Sequence, residues 1–226
     1  MRPFRARLQV ALFAAAALAA AAITTSASPA SAAVRDPIVF VHGYNGSASN
    51  WNTMVSRFRS DGYAAGELHT WNYNSSQSNT AIARQLATYV SQVRSATDAT
   101  TVDIVGHSMG GLNSRQYLKF EGGTTHVDDW VSLGSPHHGT QWAYGCFTVP
   151  CVEMRPGSTF LNSLNAGDET PGGVSYGSWW SPCDELIEPE RSPVLSGAKN
   201  TQTACIGHTA FLTDATVYGQ VRDFVA

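Results

Sequence analysis

Gly106-His107-Ser108-Met109-Gly110 sets one serine between two glycines, directly after the apolar run Val102, Ile104 and Val105. A β-branched run of this kind suits a strand buried on both faces. Beyond the serine, Leu112, Gln116, Tyr117 and Phe120 fall at helical spacing, and Gly122-Gly123 ends the segment. Strand, glycine-flanked serine and helix together predict a nucleophile elbow. At so sharp a turn the serine backbone is strained and bulky neighbours collide, which Gly106 and Gly110 relieve. The turn would lift the Ser108 hydroxyl above the sheet. It would also leave the Met109 N–H, at a helix start, placed to stabilise a developing oxyanion.

A serine hydroxyl is a poor nucleophile until a histidine takes its proton, and that histidine needs an acid to fix its tautomer. Around an elbow of this type the acid and then the histidine follow the serine in the chain. Four of the seven histidines follow Ser108: His126, His137, His138 and His208. His208 comes straight after the last predicted strand, in Ile206-Gly207-His208, where a loop can overhang the elbow. His126 is too near the elbow along the chain, and His137 and His138 end the wrong strand. His208 is therefore the candidate base. The acid should end the penultimate strand, and Ser181-Pro182-Cys183-Asp184 makes Asp184 the leading candidate. Glu185, Asp168 and Glu169 are its rivals. A second oxyanion donor should come from the loop after the first strand, His42-Gly43-Tyr44, through the Tyr44 backbone N–H. Losing one such donor costs about 3–4 kcal/mol of transition-state stabilisation. His42 and Gly43 are expected to shape that loop rather than to move protons.

The elements that must position these groups alternate. Pro37–Val41, Glu67–Tyr73, Val102–Val105, Val127–Leu133, Val174–Trp180 and Gln202–Ile206 read as strands. Helical spacing links several of them, most clearly over Asn79–Ser95, where Ile82, Leu86, Tyr89, Val90 and Val93 share a face. Asp214–Val225 reads as a closing helix. Strands separated by helices imply an α/β fold with a mostly parallel central sheet and helices on both faces. Residues 139–173, rich in Gly, Pro and aromatics, break the rhythm and read as an excursion over the strand ends, where ligands bind in open α/β sheets. Trp142, Phe147 and Phe160 in that excursion would suit an acyl chain.

Residues 1–32 read as a secretory signal: Arg2, Arg5 and Arg7, an apolar run from Leu8 to Ile23, then Ala30-Ser31-Ala32. Residues 33–226 then make one catalytic domain. Losing three arginines takes the formal charge from −3 to −6, which argues against nucleic acid or an anionic membrane as partner. No further membrane segment is predicted downstream. The four cysteines, Cys146, Cys151, Cys183 and Cys205, favour disulfides in an exported chain over a metal site, since no CxxC spacing occurs. Three pairings are possible, and the nearest-neighbour pairing, Cys146–Cys151 with Cys183–Cys205, avoids long crossings. It would also set Asp184 and His208 on either side of one bridge.

Phe40-Val41-His42-Gly43-Tyr44-Asn45-Gly46, the elbow motif and Gly207-His208 together resemble the small secreted bacterial lipases of the α/β-hydrolase superfamily. The likeness extends from about Pro37 to Phe224, and it is to actinomycete extracellular lipases and the minimal Bacillus lipases. The resemblance implies Ser108 as nucleophile, Asp184 as acid and His208 as base, with the N–H groups of Tyr44 and Met109 as the oxyanion hole. It also implies no cofactor or metal, and an ester or lipid substrate met at an oil–water interface by a secreted monomer. The excursion and the four cysteines depart from the minimal lipases. A short-chain esterase, polyesterase or acyltransferase would use the same machinery, and a non-catalytic hydrolase-fold binding protein is the alternative of another class.

Overall fold

The computed structural model describes residues 35–226, so the expected signal segment lies outside the described residues. Six strands form one sheet: β1 (Ile38–Val41), β2 (Leu68–Trp71), β3 (Val102–His107), β4 (Val127–Leu133), β5 (Ser175–Trp180) and β6 (Lys199–Gln202). Every neighbouring pair is parallel, in the order β2-β1-β3-β4-β5-β6. Six α-helices accompany them: α1 (Asn52–Ser60), α2 (Asn79–Thr97), α3 (Met109–Phe120), α4 (Val149–Glu153), α5 (Thr159–Asn165) and α6 (Ala215–Arg222).

The two-residue period of a strand sorts side chains onto two cores. Val39, Val41, Ile104 and Trp130 face one core, built with Ile82, Leu86 and Val90 of α2 and Leu112 and Leu118 of α3. Ile38, Phe40, Val105 and Val131 face the other, with Met54 and Phe58 of α1 and Val217 and Val221 of α6. Every residue of β1 and β3 is buried, so β1 reads as an unbroken apolar run, and the apolar run of β3 is interrupted only by Asp103 before the elbow.

Local signals set the helix ends. The Ser78 hydroxyl accepts from the Ala81 N–H (3.2 Å), and Asp98 closes α2 at φ 55°. Asp214 accepts from the N–H groups of Thr216 (2.8 Å) and Val217 (2.9 Å) and so starts α6.

The sixth strand lies earlier than the sequence predicts, at Lys199–Gln202 rather than Gln202–Ile206. It is an edge strand with one partner, and Lys199, Asn200 and Gln202 are exposed, so it needs no apolar run. Ile206, the apolar cue, sits beyond it with its N–H on the Ser181 hydroxyl (3.0 Å).

The order β2-β1-β3 reverses direction between β1 and β3, which opens a crevice at their carboxyl ends. Their register places Val41 opposite Gly106, so the His42–Tyr44 loop emerges beside Ser108.

At the opposite end of the sheet, Asp103 is buried and accepts the Asp129 N–H (3.1 Å). Burial first, then the nearby Asp129 carboxylate, pushes its carboxyl up to about 9. The folded chain therefore keeps a proton that the unfolded chain loses near pH 4, and this group lowers stability as pH rises from about 4 to about 9. Asp103→Asn, which keeps the acceptor oxygen, should raise Tm at pH 8 relative to wild type by about 3 °C or more, with a smaller gain at pH 5. Equal shifts at both pH values, in a thermal melt, would contradict this.

Candidate active site

Ser108 joins β3 to α3 with φ 57° and ψ −128°, a conformation that costs an L-residue free energy and persists only where the surroundings over-determine it. Its N–H is held by the Leu133 carbonyl (2.9 Å). The glycines around it stand where a Cβ has no room. A Cβ on Gly106 would lie 2.8 Å from the Gly111 nitrogen, and one on Gly110 would overlap the carbonyls of Val41 and His42. A Cβ on Gly43 would lie 2.9 Å from the Ser108 Cβ, so the loop after β1 reaches the serine only because that position is glycine.

Asp184 and His208 are brought together from separate loops, 24 residues apart. Asp184 sits just past β5 and is 6% exposed, and His208 opens a 3-10 turn (His208–Leu212) and is 4% exposed. The His208 Nδ1–H reaches both Asp184 oxygens at 2.9 Å. Asp184 Oδ1 also accepts the N–H groups of Leu186 (3.0 Å) and Ile187 (3.2 Å), which fix the carboxylate's orientation. This leaves the His208 Nε2 as the nitrogen that can serve Ser108. The Cys183–Cys205 disulfide, with Cα atoms 5.0 Å apart, ties the two loops together, and Cys146–Cys151 closes a local loop in the excursion.

The rival acids have other partners. Glu185 turns its carboxylate to the His208 backbone N–H (3.0 Å), and N–H bonds, its own first, hold its carboxyl below the usual range. Asp168 caps the Thr170 N–H (2.9 Å), and Glu169 pairs with His138 Nε2 (2.8 Å). His137 is buried, bonded to the Ser132 hydroxyl (2.8 Å), and burial lowers its pKa well below the usual value.

The Met109 N–H is the first of α3 and has no intrahelical acceptor. In the facing loop the Asn45 N–H goes to the Ser75 hydroxyl (2.9 Å) and the Gly46 N–H to the Gly43 carbonyl (3.1 Å), while the Tyr44 N–H has no acceptor among the described residues. His42 shapes this loop. Its ring stacks on Tyr73 (centroids 4.1 Å apart), its Nδ1 meets the Gly43 carbonyl (2.8 Å), and burial lowers its pKa. The Tyr73 hydroxyl donates to the His42 carbonyl (2.5 Å) and accepts from Asn113 Nδ2 (3.0 Å).

Ser108, His208, Gly43 and Tyr44 line one cavity of about 350 Å³, whose remaining walls include Trp142, Met154, Leu186, Ile187 and Leu212. Trp142 of the excursion is thus at the cavity, whereas Phe160 lines a separate hollow and Phe147 is 84% exposed.

His107 carries a role that the motif alone does not single out. Its Nε2 lies 2.9 Å from the His208 carbonyl oxygen, and the two rings are 4.7 Å apart. Burial first, then the neighbouring His208, lowers its pKa to about 3, so the ring is neutral at working pH and its Nε2–H donates. The elbow thereby holds the loop that carries the candidate base. Leu186 and Ile187 also escaped the sequence, because one turn after Asp184 they carry no spacing that marks them as cavity wall.

A parallel sheet with helices on both faces, carrying a strained serine at its switch point and a carboxylate–imidazole pair beside it, defines an α/β-hydrolase. Residues 35–216, a span that includes Ser108, Asp184 and His208, match the model of the class 2 lipases, and the chain belongs to that family. It is similar to a triacylglycerol lipase of Burkholderia plantarii, 32% identical over 130 residues, 52% of this chain and 36% of that protein. A triacylglycerol lipase of Pseudarthrobacter phenanthrenivorans is 32% identical over 118 residues, 50% of this chain and 36% of that protein. The match spans little more than a third of the length of either relative. The fold is shared with the mature form of Bacillus licheniformis lipase BlEst2, at a TM-score of 0.76 and 20% identity over 85% of this chain and 92% of that one.

Covalent labelling of Ser108 by a fluorophosphonate reads the site's chemistry directly. Asp184→Asn should slow labelling by about 10⁴-fold, since the imidazole is then held in the wrong tautomer. Glu185→Gln keeps an oxygen on the His208 N–H and should stay within about tenfold of wild type. For His107, replacement by Leu should slow labelling at an unchanged far-ultraviolet spectrum, while Gln, which can still donate, should recover most of the rate; equal rates for the two variants would sink the positioning role.

Proposed function

We propose that the protein is a secreted serine ester hydrolase that cleaves fatty-acyl esters, triacylglycerols foremost, through an acyl-Ser108 intermediate. One observation carries this: Ser108 and His208, whose Nδ1 is bonded to Asp184, line the same apolar-walled cavity together with the loop that bears the Tyr44 N–H.

In the reaction His208 Nε2 takes the Ser108 proton as the hydroxyl attacks the ester carbonyl. The N–H groups of Tyr44 and Met109 stabilise the oxyanion, acting as fixed dipoles. His208, kept in its tautomer by Asp184, then protonates the leaving alcohol. The same nitrogen next activates a water, which attacks the acyl-serine and releases the acid. Trp142, Met154, Leu186, Ile187 and Leu212 provide apolar surface for the acyl chain, and no step calls for a cofactor or metal ion.

Export is supported by the signal pattern of residues 1–32 and by two disulfides, which persist in oxidising compartments. No helix among the described residues is long and apolar enough to cross a membrane. Residues 33–226 would form the single catalytic domain, acting as a monomer.

The test compares wild type with Ser108→Ala on p-nitrophenyl butyrate, p-nitrophenyl palmitate and emulsified triolein. Wild type should release acid from all three, and the variant should lose at least about 10³-fold on each. Hydrolysis confined to butyrate would make the protein a short-chain esterase, and retention of activity by the variant would remove Ser108 from the reaction.

A further inference from the structure

Large apolar side chains are not exposed at random here. Apart from Phe120, those exposed among the described residues are Trp142, Tyr144, Phe147, Val149 and Val152. All lie in the stretch from Gln141 to Val152, which holds no charged residue. Phe147 and Val149 stand on the loop that Cys146–Cys151 closes, so the chain presents them on a short tethered turn rather than a free one. A clustered apolar patch of this kind marks an interaction surface, for another protein or for lipid.

The charges that flank the patch are already engaged. Glu153 Oε2 accepts from the Asn79 N–H (2.7 Å) and from its Nδ2 (2.8 Å). Arg155 donates to the carbonyls of Ala143 (3.3 Å) and Cys146 (2.8 Å), and its guanidinium lies over the rings of Tyr144 (5.2 Å) and Phe147 (5.5 Å). An oily surface pressed against the patch therefore meets flanking charges that already hold hydrogen bonds within the protein.

The patch also runs into the cavity mouth. Trp142 belongs to both, Tyr44 packs edge-on against it (6.3 Å), and the Tyr44 hydroxyl shares a hydrogen bond with the Thr148 hydroxyl (3.0 Å).

We infer that the disulfide-closed loop Cys146–Cys151, with Trp142, Tyr144 and Val152 around it, is the surface by which the protein docks on the neutral, apolar face of a lipid aggregate, its cavity mouth turned toward that face. The inference rests on the ester-hydrolase reading above and names where its substrate phase is met. A lipid phase fits better than a second copy of the chain, because a copy seated there would cover the mouth that Trp142 and Tyr44 form, whereas lipid would supply it.

The test separates docking from chemistry. Flotation with emulsified hexadecane, which has no ester, and with triolein is measured on Ser108→Ala protein with and without Phe147→Ser and Val149→Ser. The two added changes should lower the fraction bound to both emulsions by tenfold or more, since each removes apolar area that docking buries. With Ser108 intact, the double variant should hydrolyse dissolved p-nitrophenyl butyrate within twofold of wild type, which also reports that it is folded. Unchanged flotation overturns the proposal. So does a wild-type dimer, seen by size exclusion, that the double variant dissociates. A wild type inert on every ester sinks the hydrolase reading, yet flotation still reads the surface.

Discussion

Backbone meets backbone, with no side chain between, where the end of β1 crosses the elbow of Ser108. The carbonyls of Val41 and His42 lie against Gly110, and Gly43 lies against Ser108 itself. This contact over-determines a serine conformation that would not survive alone, so the strain at φ 57° is held by packing on both sides. It also makes Ser108 and the loop bearing the Tyr44 N–H parts of one rigid body. The parallel register of β1 and β3 is what brings the two backbones to that point, and the fully buried strands keep it there.

What could be read in the sequence follows from that constraint. Glycines at 43, 106 and 110 are demanded by close backbone approach, and such demands are legible because few other residues fit. Ser108, Asp184 and His208 were legible because their order along the chain and the strands before them restrict the candidates. His107 was not, because its contribution is one hydrogen bond to a main-chain carbonyl, which no residue pattern announces. Nor was the position of β6, whose polar residues pair with a single neighbour and need no apolar run. In the excursion, composition foretold aromatic side chains near the site, but only the folded chain divides them. Trp142 lines the cavity, Phe160 packs against the core beside another hollow, and Phe147 faces solvent.

The carboxylate and imidazole are fixed from several directions. Asp184 is held by the Leu186 and Ile187 N–H groups, His208 by Glu185 through its N–H and by His107 through its carbonyl, and Cys183–Cys205 bridges the two loops. None of these groups touches the His208 Nε2: Asp184 bonds Nδ1, and Glu185 and His107 bond the main chain. The groups that orient His208 thus act on atoms other than its Nε2, and a buried, neutral His107 sits close to His208 without adding a charge to the site.

The wide spacing of the parts along the chain bears on when chemistry begins. The elbow at Ser108 and the loop at His208 are joined across 101 residues, and no strand pair in this sheet is a local hairpin. Parallel sheets pair distant segments and assemble slowly. A chain whose sheet is only partly paired carries Ser108, Asp184 and His208 without bringing them together. The candidate site is therefore among the last features the folding chain completes.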